Sequence, residues 1–478
     1  MNDRTSTFVV GIAILLCAIF GTLIAVYQPG YLSDVRLLGG LIFLQMLAAL
    51  LWSYRQRFFL ALIVAFLWAG TAVPLKGAWT TGRWFVLAAG ALAGIVIYLK
   101  DQNHHFGFFH LVAFCCVLMA VVSALVSAYP RMALLKAISL LLLFLYAAAG
   151  ARLAVIGREA KFLAGLVLGC EILVYLSAFA YFVLHLELYG NRNSLGVVMG
   201  VVALPFLLWG LFISGQQTIR WRRAFALLLC VLLLLASYER AGIGAAVISS
   251  SLLCFGLRQY RVFIKGLAVA VAAAVFVAAF VHRPEAPASE DTSVASIFLY
   301  KGKPEAGLLG SRKPVWDETM DSLRAHPWFG TGFGTSATDF DKSDVSASYA
   351  SAQQTTREHG NSYLAILEWV GYLGVAPFLL LLLLLLLDVG RVVLWMRRTG
   401  NAFSPVVPLA VFVVGALAHA GFEDWLFAVG YHTCVFFWAL AFIFVDFVPA
   451  LSYHGATANP QYAPRLWDEK LGVAVPSR

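Results

Sequence analysis

The residues best suited to chemistry are arginines set in short polar turns between long apolar runs. Tyr189-Gly190-Asn191-Arg192-Asn193-Ser194 places a guanidinium between two amides, and Ser237-Tyr238-Glu239-Arg240-Ala241-Gly242 places another beside small residues. Gly310-Ser311-Arg312-Lys313 and Arg357-Glu358-His359-Gly360-Asn361-Ser362-Tyr363 add a third and a fourth in one long polar segment. A guanidinium stays charged at every relevant pH and binds phosphate oxygens bidentately, so arginines gathered on one face suit a phosphate or diphosphate. His359 precedes an apolar run that Asn361 or Ser362 can N-cap, and the positive helix end would keep a nearby imidazole neutral and able to act as a base. Glu358 and Glu239 are further carboxylates for base or orienting work.

Plainer readings stand beside these. Each arginine taken singly also fits a side chain snorkelling to lipid headgroups. His326-Pro327 reads as a helix end and Gly330-x-Gly332-x-Gly334 as a turn, because a phosphate-binding glycine fingerprint needs a strand before it and a helix after it. Asp339-Phe340-Asp341-Lys342-Ser343-Asp344 lacks the glycine and terminal glutamate of a calcium loop. The sequence has no zinc-spaced Cys/His set and no Gly-x-x-x-x-Gly-Lys-Ser/Thr loop, which argues against nucleotide hydrolysis.

The elements that must position these groups are apolar helices. Of 478 residues 61% are hydrophobic and 12% charged, about half the charge usual in soluble domains. The apolar runs have the length that crosses a bilayer. All seven cysteines fall inside them and read as small core residues. Spans are expected near residues 8–27, 37–54, 58–73, 84–99, 108–128, 131–149, 162–184, 194–214, 224–237, 241–256, 262–281, 363–387, 405–420 and 425–446. The net charge of +9 resides largely in clusters at alternate connections, such as Arg220/Arg222/Arg223 and Arg391/Arg397/Arg398. That pattern indicates a membrane rather than nucleic acid and puts both termini in the cytoplasm. The expected organisation is about eleven spans over 1–281, a large periplasmic loop over 282–361, about three spans over 362–448 and a cytoplasmic tail over 449–478. The loop begins with a Pro- and Ala-containing linker. It should also carry a helix opened by Pro314, with Val315, Trp316, Thr319, Met320 and Leu323 on one stripe. Glu171, inside a span, is open to an interhelical hydrogen bond or to a proton- or ion-linked role.

These motifs together resemble the bacterial O-antigen ligase and O-antigen polymerase superfamily. The resemblance rests on Gly190-Asn191-Arg192-Asn193, Ser237-Tyr238-Glu239-Arg240 and Gly310-Ser311-Arg312 with Trp316. It continues through His326-Pro327-Trp328-Phe329-Gly330-Thr331-Gly332 and His359-Gly360-Asn361-Ser362-Tyr363-Leu364, running into Glu368-Trp369-Val370-Gly371-Tyr372-Leu373-Gly374, and covers roughly residues 185–375. It implies an all-α, GT-C-like polytopic transmembrane bundle of about 12–14 spans. The implied activity needs no cofactor, metal or nucleotide sugar: a glycan moves from a polyprenyl diphosphate carrier to lipid A core, a growing glycan or a protein on the periplasmic face of the inner membrane. Arg192, Arg240 and Arg312 would hold the diphosphate and His359 would activate the acceptor hydroxyl. One departure is visible: members commonly place the histidine three residues before the aromatic of the Tyr-Leu pair, where Gly360 stands here. A polymerase of the same superfamily, a transporter for an anionic or lipid-linked substrate, and a membrane scaffold are the alternatives. Transport calls for internal repeats and broken helices in matching halves, and the sequence displays neither.

Overall fold

The computed structural model describes residue 40 and residues 58–71, 76–100, 107–153, 155, 157–280, 312–336 and 357–448. The expected spans near 8–27 and 37–54, the linker at the start of the loop, Gly310-Ser311, the Asp339–Asp344 segment and the tail all lie outside these residues. The described residues form helices without strands, an all-α polytopic bundle. In chain order the helices are α1 (Phe58–Gly70), α2 (Lys76–Lys100), α3 (Phe108–Val126), α4 (Pro130–Gly150), α5 (Glu159–Val183), α6 (Arg192–Phe212), α7 (Gln217–Ala236), α8 (Arg240–Gly256) and α9 (Tyr260–Phe280). After them come α10 (Lys313–Ala325), α11 (Ser362–Thr399), α12 (Val406–Ala420) and α13 (His432–Phe447). Six of these, α3 to α6, α9 and α11, are long and apolar enough to span a membrane.

Every expected span that falls on described residues has its helix, and the differences lie at the ends. Helix α7 begins at Gln217, because Arg220, Arg222 and Arg223 stay helical in its first turns. Helix α13 starts at His432 instead of 425, because residues 421–431 form a turn carrying Glu423 and Asp424. Helix α10 matches the expected amphipathic helix: Pro314 sits in its first turn, Thr319 and Leu323 are buried, and His326 caps it before Pro327.

Two packing features decide where the polar turns lie. Helix α6 meets the start of α8 through glycines: a Cβ at Gly196 would strike Glu239 and Ser237, and one at Gly200 would come within 2.5 Å of the Gly242 carbonyl. Small residues four apart let two backbones approach closely in a membrane. The Arg192 turn is thereby fixed one helical turn from the Ser237–Arg240 turn.

The second feature is a break in α11. Gly371 adopts φ 69° and ψ −177° inside the helix, which frees backbone groups that a membrane interior cannot satisfy. Loop residues 327–332 satisfy them. Thr331 and Gly332 amides donate to the Glu368 and Trp369 carbonyls at 2.9 and 3.1 Å, while Tyr372 and Leu373 amides donate to Pro327 and Trp328 at 2.8 and 3.2 Å. Ser123 of α3 donates to the Trp369 carbonyl at 2.5 Å, and Ser127 to that of Thr331 at 2.8 Å. The glycine triplet is therefore a plug for a broken helix. Gly330, at φ +71°, lies with its α-carbon against the Glu368 carbonyl, where a Cβ would overlap it. Gly330→Ala is expected to destabilise the fold by about 2–5 kcal/mol, from forced packing of about 1–3 kcal/mol and a left-handed backbone costing about 1–2 kcal/mol. Thermal unfolding of the detergent-purified protein measures it, and an unchanged midpoint would contradict this account of the plug.

Candidate functional site

Glu368 lies at the end of the second turn of α11 and is fully buried. Arg357 pairs with it through Nη2, Ser322 of α10 donates to Oε1 at 3.3 Å, and His359 Nε2 lies 3.2 Å from Oε2. Arg357 also donates to Thr319 at 3.0 Å and pairs with Glu318 at 2.8 Å, which ties α10 to α11. On the other side of the imidazole, Asp424 from the α12–α13 turn accepts from the His359 backbone amide at 2.8 Å and faces its Nδ1 at 3.4 Å. Ser336 lies 3.2 Å from Nε2, and Trp369 meets the ring edge-to-face.

This corrects the expectation of a neutral His359. Asn361 does cap α11, accepting from the Tyr363 and Leu364 amides, so the helix end is where the sequence placed it. Burial of the ring also disfavours its charge. Hydrogen bonds and charges from Asp424 and Glu368 outweigh both and hold the imidazole pKa above its ordinary value. A carboxylate at each ring nitrogen suits an imidazolium, which donates from both. Burial pushes the Asp424 carboxyl up, but its bonds to His359 hold it below the usual range.

A second cluster lies on the other flank of the α12–α13 turn. Arg312, at the start of α10, donates to the Gly360 carbonyl at 2.7 Å and to the Phe422 carbonyl, and pairs with Glu423 at 2.9 Å. Gly360 lies at φ +59°, where a side chain is strained, and a Cβ there would come within 2.7 Å of Arg312 Nη1 and displace the guanidinium. Arg240 opens α8, partly exposed, and feels the charge of Arg312. Glu239 is buried and caps α8, accepting from the Ala241 amide at 3.1 Å and from that of Gly242. His419 of α12, fully buried, accepts from the Trp425 indole at 2.8 Å on Nδ1, leaving Nε2 3.6 Å from Glu239. Burial raises the Glu423 carboxyl above its ordinary pKa despite its bonds to Arg312.

Arg192 opens α6 behind its cap Asn191 and pairs with Glu187 at 3.2 Å at the edge of a shallow cleft with Tyr181 and Tyr189. The structure brings some of the six sequence candidates together, while Arg192 pairs with Glu187 instead. Arg240 and Arg312 lie within each other's field, Glu239 and His359 are buried, Glu358 is exposed, and the helix that Arg192 opens meets Glu239 at Gly196. Glu368, Asp424, Glu423 and His419 were absent from the candidates. Glu368 had a signal, an ionisable residue inside an apolar run.

Glu171, also buried in a span, pairs with Arg222 at 2.7 Å and Arg223 at 3.3 Å. Its charge is neutralised by α7 arginines, which gives it a structural account. The break at Gly371 is a broken helix of the kind transporters use, but its backbone groups are filled by the protein's own loop.

Residues 225–379 match the family model described as O-antigen ligase. The match includes Arg240, Arg312, His359 and Glu368, whereas Arg192, Glu423 and Asp424 fall outside it. No curated protein matches the chain.

The clamp around His359 makes a pH prediction. A group whose pKa is raised on folding contributes stability that is complete below its unfolded value, about 6.5, and is lost as pH rises through the folded value. The unfolding temperature should fall as pH increases above about 6.5, and His359→Gln should flatten that limb. A variant that keeps the full slope would mean that another group titrates.

Proposed function

From a membrane protein of the O-antigen ligase and polymerase superfamily, carrying that domain over residues 225–379, we propose a glycosyltransferase that moves a glycan from a polyprenyl diphosphate carrier to an acceptor. The acceptor is lipid A core, a growing polysaccharide or a protein, and the reaction takes place on the periplasmic face of the bacterial inner membrane. The alternation of basic clusters supports that orientation, with both termini cytoplasmic and residues 282–361 outside.

The observation that carries the reading is the placement of Arg240 and Arg312 within each other's field, at helix starts supplied by the family domain. Guanidinium groups whose fields overlap favour an anion that reaches both, and a diphosphate has oxygens for each. Arg192, at the neighbouring turn, extends the cradle along the carrier. In the reaction the acceptor oxygen bonds to the anomeric carbon, and the bond from that carbon to the diphosphate oxygen breaks. Negative charge grows on the leaving diphosphate, where preplaced guanidinium groups stabilise it by a metal-independent route.

The acceptor proton needs a base. Of the three candidates, His359 is enclosed between two carboxylates that hold its pKa above the ordinary value, and Glu239 accepts from the α8 amides with both oxygens. Glu358 alone presents its side chain to solvent and takes the proton in this proposal. His359 and Glu239 are then positioning residues, the first holding Gly360 and Arg312 in register and the second holding the start of α8. Ligase and polymerase share this chemistry and differ in the acceptor.

Arg240→Ala or Arg312→Ala should reduce transfer by about 10²–10³-fold or more, the effect of removing one preorganised charge donor, with expression and folding unchanged. Membranes supplied with lipid-linked glycan and acceptor provide the assay. Undiminished transfer by both variants would refute the mechanism.

A further inference from the structure

Among the described residues, Arg312 meets one charged partner. Two of its contacts, the carbonyls of Gly360 and Phe422, are backbone and fix the guanidinium in place, while the third is the Glu423 carboxylate at 2.9 Å. The Glu423 backbone is itself anchored, because Ser362 donates to its carbonyl at 2.5 Å and the Leu426 amide donates to Ser362. The carboxylate is thus held against Arg312 by the turn that also presents Asp424 to His359.

This arrangement sets a problem of selectivity. A site that takes a lipid diphosphate lies at the membrane surface, among anionic phospholipid headgroups in large excess, each a phosphodiester of one net negative charge with no choline to offset it. A bare Arg240–Arg312 pair would fill with those headgroups, since guanidinium binds any phosphate. Discrimination between similar ligands is often achieved by an element that opposes the wrong one. Resting on the diphosphate reading above, we infer that Glu423 is a specificity-determining counter-ion: it occupies Arg312 against singly charged phospholipid headgroups and yields only to a diphosphate, whose second charge engages Arg240 at the same time.

A singly charged headgroup that displaced Glu423 would exchange one anion for another and gain little. A diphosphate gains the second arginine as well. Once displaced, Glu423 stands near the bound anion and near Glu239, so proton uptake by its carboxyl accompanies binding. The groups facing it are Arg312 from α10, His419 from α12, Glu239 from the start of α8, and its neighbours Asp424 and Tyr431 on the turn. Burial already favours the protonated form of Glu423.

The test uses the full-length protein in nanodiscs of two compositions, pure phosphatidylcholine and phosphatidylcholine mixed with phosphatidylglycerol. The probe is a farnesyl diphosphate-linked N-acetylhexosamine, whose two phosphates stay charged across the pH range used. Wild-type protein should bind it with nearly the same affinity in both membranes. Glu423→Gln should bind it as tightly or more tightly in phosphatidylcholine, yet lose at least about tenfold in affinity, about 1.4 kcal/mol, when phosphatidylglycerol is present. Glu423→Asp, which keeps the charge, should restore indifference to phosphatidylglycerol, a rescue that a purely structural role would not produce. Wild-type affinity should also improve as pH falls, and the Gln variant should lack that trend.

Indifference of Glu423→Gln to phosphatidylglycerol, with Arg312→Ala abolishing probe binding, would overturn the selectivity role and leave the diphosphate reading standing. Unimpaired binding by Arg312→Ala would overturn the diphosphate reading itself.

Discussion

A carboxylate inside a membrane helix has to be neutralised, and in this protein Glu368 sets that requirement. It lies fully buried in α11, three residues before the break at Gly371. An uncompensated charge there would cost several kcal/mol, so the surrounding chain is arranged to deliver cations and donors to it. Arg357 and His359 come from the segment leading into α11, and Ser322 comes from α10. Holding His359 in this way leaves its other nitrogen to be met by Asp424, which draws the α12–α13 turn inward. That turn carries Glu423 to Arg312. One buried charge therefore organises the loop helix, the broken span and the turn bearing the second cluster.

The two clusters use the same residue types for different ends. Around His359, cations and carboxylates alternate in a closed set: Arg357, Glu368, His359 and Asp424 each meet an opposite charge, and Glu368 and the His359 ring are shut off from solvent. Such a set is rigid, because moving any member leaves another charged and unpaired in a low dielectric. Around Arg312 the geometry is looser. Arg312 and Glu423 remain partly exposed, and backbone carbonyls do the positioning while a single carboxylate supplies the charge. The closed set suits a scaffold, and the open set suits exchange with an incoming anion.

Much of the fold could be read from the sequence because span length is a matter of composition: an apolar run long enough to cross the hydrocarbon core forms a helix. The turns bearing Arg192 and Arg240 were legible for the same reason, since a polar turn between apolar runs must lie at an end of the bundle. The state of His359 was not. The Asn361 cap and helix end were read correctly, but an imidazole answers to the carboxylates that reach it, and Asp424 is sixty-five residues away in sequence. Glu423 and Asp424 fell in the short connection between the expected spans 405–420 and 425–446, and it is the longer turn over 421–431 that brings them inward. Gly371 gave no local sign of its break, because glycine is common in membrane helices and only the complementary amides of Thr331 and Gly332 reveal the gap they fill.

The same contrast bears on the position of Gly360 beside Arg312. A side chain at that position would meet Arg312, so this chain has set its imidazole one residue earlier and turned it into the buried set. The arginine gains a backbone carbonyl as a fixed partner, which holds it without neutralising it. A carbonyl ligand leaves the guanidinium its full charge, whereas a second carboxylate would have cancelled the field that Arg240 shares. The shift of one residue thus places the imidazole in the buried set and leaves the Gly360 carbonyl as the partner that holds Arg312.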